Sequence, residues 1–268
     1  MIARWPVADL RAALDALLPG CAVEVLPEID SSNTELMRRA RAGVAAPVLL
    51  VAERQTAGRG RLGRPWQSTA QAGPSALDES LTFSLGLPLA PGDWSGLSLA
   101  AGVSVAESLD PEGRHLRLKW PNDLWTVQDR KLGGILIETA LPQAGAAQRY
   151  LVIGVGLNIG PREATGLSTA PAWLRELRPE AQAPQVLLDV VPPLVRSVLG
   201  FAEHGFGAFA QSFAARDALH GRDVLLSDGT GGACEGVGPS GELRVRTAAG
   251  LQSVTSAEVS VRPIGGAR

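Results

Sequence analysis

Lysine is nearly missing from this chain of 268 residues: of its 25 basic residues only Lys119 and Lys131 are lysines, and the rest are arginines. Cysteine is equally scarce. Cys21 and Cys234 match neither a disulfide framework nor a thiolate metal spacing, and His115, His204 and His220 lie too far apart for a zinc site. No unbroken apolar run reaches the ~18 residues of a membrane span, and the N-terminus lacks a signal-peptide pattern. The 27 acidic residues slightly outnumber the 25 basic ones. Overall charge therefore gives no pull toward nucleic acid, while a local cationic site stays open. Together these absences predict a cytoplasmic protein that uses no transition metal, no membrane and no DNA.

Hydrophobic residues make up 45 % of the chain and charged residues 19 %, enough to bury a core and too apolar for a disordered tail. The length suits one large domain, or a main domain with a small one. The two lysines fall within one stretch of 13 residues. An ammonium is a compact, rotatable point charge, whereas a guanidinium is a wide planar fork. Two lysines kept together in an arginine-using chain point to two neighbouring positions that need the ammonium.

Periodicity orders the elements. Val7–Leu18 has helical spacing and Val23–Leu26 reads as a strand. Ser32 with Glu35 three residues on predicts a capping box opening a helix that Gly43 ends. Val48–Ala52 and Leu81–Leu87 are strands, separated by a loop rich in Gly and Arg (Gly58–Gly73) and a polar stretch, Gln71–Glu79. Trp94–Leu109 is an apolar helix. His115, Arg117 and Lys119 alternate with apolar partners, which predicts a half-exposed strand stopped by Pro121. Ile135–Glu138 and Tyr150–Ile159 are strands joined by a turn around Gln143–Ala147. Helical segments follow at Trp173–Leu177, Val186–Leu199 (disturbed by Pro192 and Pro193) and Phe206–Arg216. From Gly221 short strands at Val224–Leu226, Leu243–Arg246, Leu251–Val254 and Val259–Arg262 suggest a small antiparallel barrel of about 45 residues. The fold class is α+β: a mixed sheet with flanking helices over 1–217, then an all-β module over 218–268.

Gly58-Arg59-Gly60-Arg61-Leu62-Gly63-Arg64 matches the spacing of a dinucleotide fingerprint, but no helix follows Pro65-Trp66, so that reading fails. What remains is a flexible backbone carrying guanidinium forks. Glycines let main-chain N–H groups approach an anion, and arginines bind carboxylate or phosphate through paired hydrogen bonds. Like charges on such a chain predict a segment that is mobile without ligand and folds over one. Lys119-Trp120-Pro121-Asn122-Asp123 delivers an ammonium on a strand and then a carboxylate whose hard oxygen suits Mg²⁺ on a polyphosphate. Lys131 then leads through Leu132 into the small pair Gly133-Gly134. Glu28, Asp30 and Glu53 read as solvated charges.

With Ile29-Asp30-Ser31-Ser32-Asn33, Gln55-Thr56-Ala57 and Gly154-Val155-Gly156-Leu157-Asn158, these segments resemble the ordered motif set of biotin protein ligases. The resemblance covers Glu28–Ile159 by motif and Phe206–Arg262 by pattern, since the family ends in a small SH3-like barrel. Two departures stand out. Ser31-Ser32-Asn33 replaces the usual Ser-Thr-Asn, and Thr69–Glu79 is longer than the usual connection. The first motif begins only about 28 residues into the chain, too early for the helix-turn-helix domain of the repressor forms.

The resemblance implies a class II synthetase-like catalytic domain and a two-step reaction. Biotin's carboxylate attacks the α-phosphate of ATP to give biotinyl-5′-AMP, and a lysine of a biotin carboxyl carrier domain then takes the biotinyl group. It implies ATP and biotin as substrates, Mg²⁺, no bound prosthetic group, and a monomer or homodimer. Ser31, Ser32, Asn33, Gln55 and Gly60 would bind biotin's ring, with Gly133 and Gly134 beneath it. Arg59, Arg61 and Lys131 would hold the carboxylate and stabilise the transition state. Arg64, Trp66, Lys119, Asn122 and Asn158 would join Arg61 in binding ATP, Trp66 by stacking on adenine, and Asp123 would hold the metal. Two other readings share these residues: a lipoate protein ligase, and an RNA-binding module using the Arg-Gly loop.

Overall fold

The computed structural model describes residues 5–68, 79–142, 148–162, 168–255 and 261–264. The expected turn at Gln143–Ala147 and nearly all of the Thr69–Glu79 stretch lie outside them.

Period-two patterning builds one seven-stranded sheet in the order β1-β2-β3-β7-β6-β5-β4. Its strands are β1 (Ala22–Ile29), β2 (Val48–Gln55), β3 (Ser80–Leu89), β4 (Leu116–Lys119), β5 (Asp123–Thr126), β6 (Lys131–Ala140) and β7 (Arg149–Asn158). β1 and β2 run parallel and the other pairs antiparallel. The sheet is therefore mixed and mainly antiparallel, in keeping with the α+β reading. One face packs on α3 (Leu97–Leu109) and α4 (Ala183–His204), burying Leu49, Phe83, Ile135, Val155 and Leu157. α1 (Val7–Asp15) packs beside α4.

On the other face, α2 (Ser32–Arg41) lays Leu36, Met37 and Ala40 over Val48, Leu50, Tyr150 and Val152. Ten residues of helix cover only part of that face. The remainder carries small residues in register: Gly154 lies between Ser84 and Leu136, and Gly156 between Thr82 and Gly134. This half-covered face is where the candidate site sits.

Several local expectations change. Ser31, not Ser32, caps α2, accepting a 3.4 Å hydrogen bond from the Thr34 N–H. Ser32 turns inward instead, and Glu35 pairs with Arg38 and Arg39 rather than closing a capping box. Asp30 pairs with Arg38, Glu28 with Arg54, and Glu53 accepts from the Trp5 indole, so none of the three is simply solvated. Pro192 and Pro193 do not break α4, because packing along its buried face outweighs the ~3 kcal/mol that an internal proline costs. By length and composition this helix could also cross a membrane, which a search for unbroken apolar runs does not register. Here its apolar stripe lies against the sheet and α3. Phe206–Arg216 divides into a 3-10 turn (Phe206–Phe209) and the short α5 (Ala210–Ala214).

The second sheet has five antiparallel strands in the order β11-β10-β9-β8-β12, consistent with the SH3-like barrel. They are β8 (Asp223–Leu226), β9 (Gly231–Val237), β10 (Leu243–Thr247), β11 (Gly250–Val254) and β12 (Val261–Pro263). β9 has no counterpart among the strands expected from the sequence. It pairs with β8 and β10, where Gly232 permits a close approach: a Cβ there would meet the Arg246 carbonyl oxygen at 2.4 Å.

Candidate active site

β2 ends at Gln55, beside the first turn of α2. The Gln55 side-chain oxygen accepts from the Ser32 N–H at 2.7 Å and lies 3.0 Å from the Ser32 hydroxyl. A backbone N–H only donates, so this bond fixes the amide orientation and leaves Nε2 as a donor. Nε2 lies on the Gly58 side, where an added Cβ would approach it to 3.0 Å. Ser84 Oγ stands 2.7 Å from Ser32 Oγ and 2.6 Å from Asn33 Oδ1. Asn33 Nδ2 donates to the Leu136 carbonyl (3.3 Å) and to Glu138 Oε2 (3.0 Å). Ser31, Ser32 and Asn33 are all buried. Ser31 Oγ accepts from the Thr34 N–H, while Ser32 and Asn33 join Gln55, Ser84 and Glu138 in one connected network, the condition under which burial of such groups is tolerated.

The Arg-Gly segment is a small hairpin. Gly60 N–H donates to the Arg64 carbonyl (2.7 Å), Trp66 N–H to Gly58 (2.8 Å), and Arg59 bridges to Pro65. Its tip turns at Leu62 (φ 56°) and Gly63 (φ 69°), two successive left-handed residues. That pattern is characteristic of two-residue hairpins. Arg59 and Arg61 diverge. The Arg59 side chain donates to Thr34 Oγ1 at 3.1 Å and to Glu138 at 3.2 Å. Arg61 is held at the opposite end, where burial lowers its pKa, Asp123 opposes that fall and Arg64 adds to it. Trp66 lies against Gly156, where an added Cβ would meet the indole at 2.5 Å, and carries the Arg162 guanidinium 5.7 Å from its ring centre.

The two lysines meet at Asp123. β4 pairs with β5 so that Lys119 faces Asp123 in register, and Lys131 Nζ donates to Asp123 Oδ1 at 2.7 Å. Lys119 is 9 % exposed, not half-exposed as its strand pattern predicts. The reason is tertiary: its ammonium sits 5.2 Å from the Trp125 ring. Burial drives its pKa down to about 8, Asp123 resists, and Lys131, Arg64 and Arg61 push it lower. The pocket thus collects several cations around one carboxylate. A cluster of positive charge partly held out of water favours an incoming anion.

Three asparagines of the motifs hold backbone. Asn122 Nδ2 donates to the Ile135 carbonyl (2.6 Å), and Asn158 Nδ2 to Ala172 (2.9 Å) and Lys131 (3.3 Å). Asn33 does likewise toward Leu136. Gly133 allows β6 to approach β7, since a Cβ would meet the Gly156 carbonyl oxygen at 2.4 Å, while Gly134 lies beside Asp123 and Lys131. Ser84, Glu138, Thr34 and Arg162 were not anticipated from sequence. Ser84 and Glu138 did carry a signal: each is polar at a period-two position along an apolar strand.

Among the described residues, no group of three or more His, Cys, Asp or Glu could hold a metal. Asp123 pairs with Lys131 and faces Lys119 across β4 and β5. That donor set suits Mg²⁺ arriving on a polyphosphate, which completes its shell with phosphate oxygens and water.

The family described as Biotin/lipoate A/B protein ligase matches residues 25–158. The bifunctional ligase/repressor BirA of Escherichia coli is 32 % identical over 254 residues, spanning 91 % of this chain and 75 % of that protein. The biotin--[acetyl-CoA-carboxylase] ligase of Paracoccus denitrificans is 30 % identical over 254 residues, spanning 88 % and 98 %. Among solved structures, the biotin protein ligase of Aquifex aeolicus in complex with biotin and ATP superposes with a TM-score of 0.73 at 29 % identity, covering 91 % of this chain and 99 % of that one.

Proposed function

Because the chain belongs to the biotin/lipoate A/B protein ligase family, we propose that it activates biotin with ATP and transfers it to a lysine of a carboxylase carrier domain. The observation that carries this reading is the gathering of Lys119, Lys131 and Arg61 around Asp123, on the same half-covered side of the sheet as the Gln55 amide donor. In the first step a carboxylate oxygen attacks the α-phosphorus and pyrophosphate leaves. In the second, an amine attacks the acyl carbon, the acyl–oxygen bond breaks, and AMP leaves as the amine loses its proton. Both steps bring anions together, so charge stabilisation and positioning carry the catalysis.

In this reading Lys131 and Arg61 hold the carboxylate and the α-phosphate, while Lys119 and Arg64 serve the outer phosphates. Gln55 Nε2 and the Ser32–Ser84 hydroxyls face biotin's ring over Gly134. Asn33, Asn122 and Asn158 contribute by holding the pocket walls. Trp66 is an adenine platform once Arg162 yields its ring face. Mg²⁺ at Asp123 would neutralise phosphate charge. The same proposal divides the chain at 217/218, between the sheet that carries the pocket and the barrel, and takes the enzyme as cytoplasmic, a monomer or homodimer without DNA binding. The inward-facing cations disfavour the RNA-binding alternative, which needs an exposed basic groove.

The test is pyrophosphate release with biotin or lipoate and ATP–Mg²⁺, followed by transfer of labelled acid to a carrier domain. Biotin-dependent release and acid-stable labelling are expected. Turnover with lipoate alone would move the protein to the other branch of the family, and salt-sensitive RNA retention without turnover would reject the enzyme reading.

A further inference from the structure

β6 lays a ruler along the pocket. Gly134, Leu136 and Glu138 share one face, and at about 3.4 Å per residue the last stands roughly 14 Å beyond the first. Gly134 marks the cationic end, beside Lys131 and Asp123. Glu138 marks the other, where it meets Asn33 and Arg59. The hairpin therefore straddles the pocket, with Arg61 directed to one end and Arg59 fastened at the other.

We propose that Glu138 is a positioning residue that latches the Arg-Gly hairpin across the pocket through Arg59, slowing the escape of whatever lies beneath. The atoms distinguish this from a purely structural role. Asn33 uses Glu138 Oε2 alone, at 3.0 Å, and an amide would serve it equally well. Glu138 Oε1 has Arg59 as its partner at 3.3 Å, and the same guanidinium nitrogen reaches Oε2 at 3.2 Å. Thr34 Oγ1, accepting from Arg59 Nε at 3.1 Å, holds the fork in line with the carboxylate. A charge is required only for the arginine.

The inference rests on biotin as the occupant. It is tested with Glu138→Gln, which keeps an acceptor for Asn33 and removes the ion pair. Expected are about three- to fivefold faster biotin dissociation in stopped flow, an ATP KM within about twofold of the parent, and faster amide exchange over residues 57–66. Arg59→Gln should reproduce the faster dissociation, and the double variant should be no worse than either single one. Unchanged dissociation and exchange in Glu138→Gln, or additive losses in the double variant, overturn the latch. If the parent itself binds no biotin, the functional reading fails instead.

Discussion

Lys119 shows what one buried charge does to a protein of this kind. Its pKa in the folded chain, about 8, lies below the ordinary 10.5. Between those values the unfolded chain binds a proton that the folded chain does not, so this group makes stability rise with pH across that interval. Cys21 and Cys234, each raised by burial to about 11, and Tyr150, raised to about 12, pull the other way at higher pH. The difference between the parent and Lys119→Met isolates the lysine. Without ligand or metal, Lys119→Met should melt higher by several degrees near pH 7.5, since it removes a buried charge whose desolvation Asp123 offsets only in part. The gain should shrink toward pH 10.5. In turnover the same change should lower kcat/KM for ATP by on the order of 100-fold, about 3 kcal/mol of lost transition-state stabilisation. Thermal melts across pH and steady-state kinetics check both halves. An unchanged melting difference from pH 7.5 to 10.5 would mean that the ammonium is not desolvated.

At the scale of elements, β7 and the hairpin depend on each other. Gly154 and Gly156 alternate on the pocket face because Asn33 and Trp66 occupy the space their side chains would take. A Cβ on Gly154 would come within 2.3 Å of Asn33 Oδ1. Gly154→Ala should therefore displace Asn33 from Ser84 and Glu138 and weaken biotin binding by tenfold or more, with little change in ATP affinity. Titration calorimetry with each ligand reads this directly, and equal losses for both would contradict it. The hairpin tip carries a different cost. Leu62 is 58 % exposed and gains little from burial, yet holds a left-handed backbone that costs a non-glycine residue about 1–2 kcal/mol. The turn geometry, and not the leucine side chain, is what the fold maintains there.

For the molecule as a whole, the motif that brings Lys119 and Asp123 together also attaches the barrel. Trp120 is fully buried and its indole donates to the Gly241 carbonyl at 3.0 Å. The segment between the sheets covers the free edge of β4 through Leu118 N–H to Arg216 (2.7 Å) and Ala218 N–H to Leu118 (3.0 Å). Arg222 grips Asp129 with two bonds of 2.8 Å. Trp120→Phe leaves the Gly241 carbonyl without its donor and should cost about 1–3 kcal/mol. Faster amide exchange is expected over both β10 and residues 116–123. Faster exchange in the barrel alone would show that the indole bond does not couple the two sheets.

The sequence by itself determined the α+β class with its C-terminal barrel, most of the strands and helices in their order (β5 and β9 excepted), and the segments that form the pocket. Periodicity and motif spacing are properties of neighbours along the chain, and they survive without coordinates. Only the tertiary structure decided which charges are buried and which amides are already engaged. Lys119 reads as half-exposed until Trp125 and the hairpin enclose it. Asn33 reads as a ligand-binding amide until Glu138, 105 residues away, takes its hydrogen. Glu138 was visible as a polar residue on an apolar strand, but its purpose was not, because an ion pair depends on where two distant segments cross.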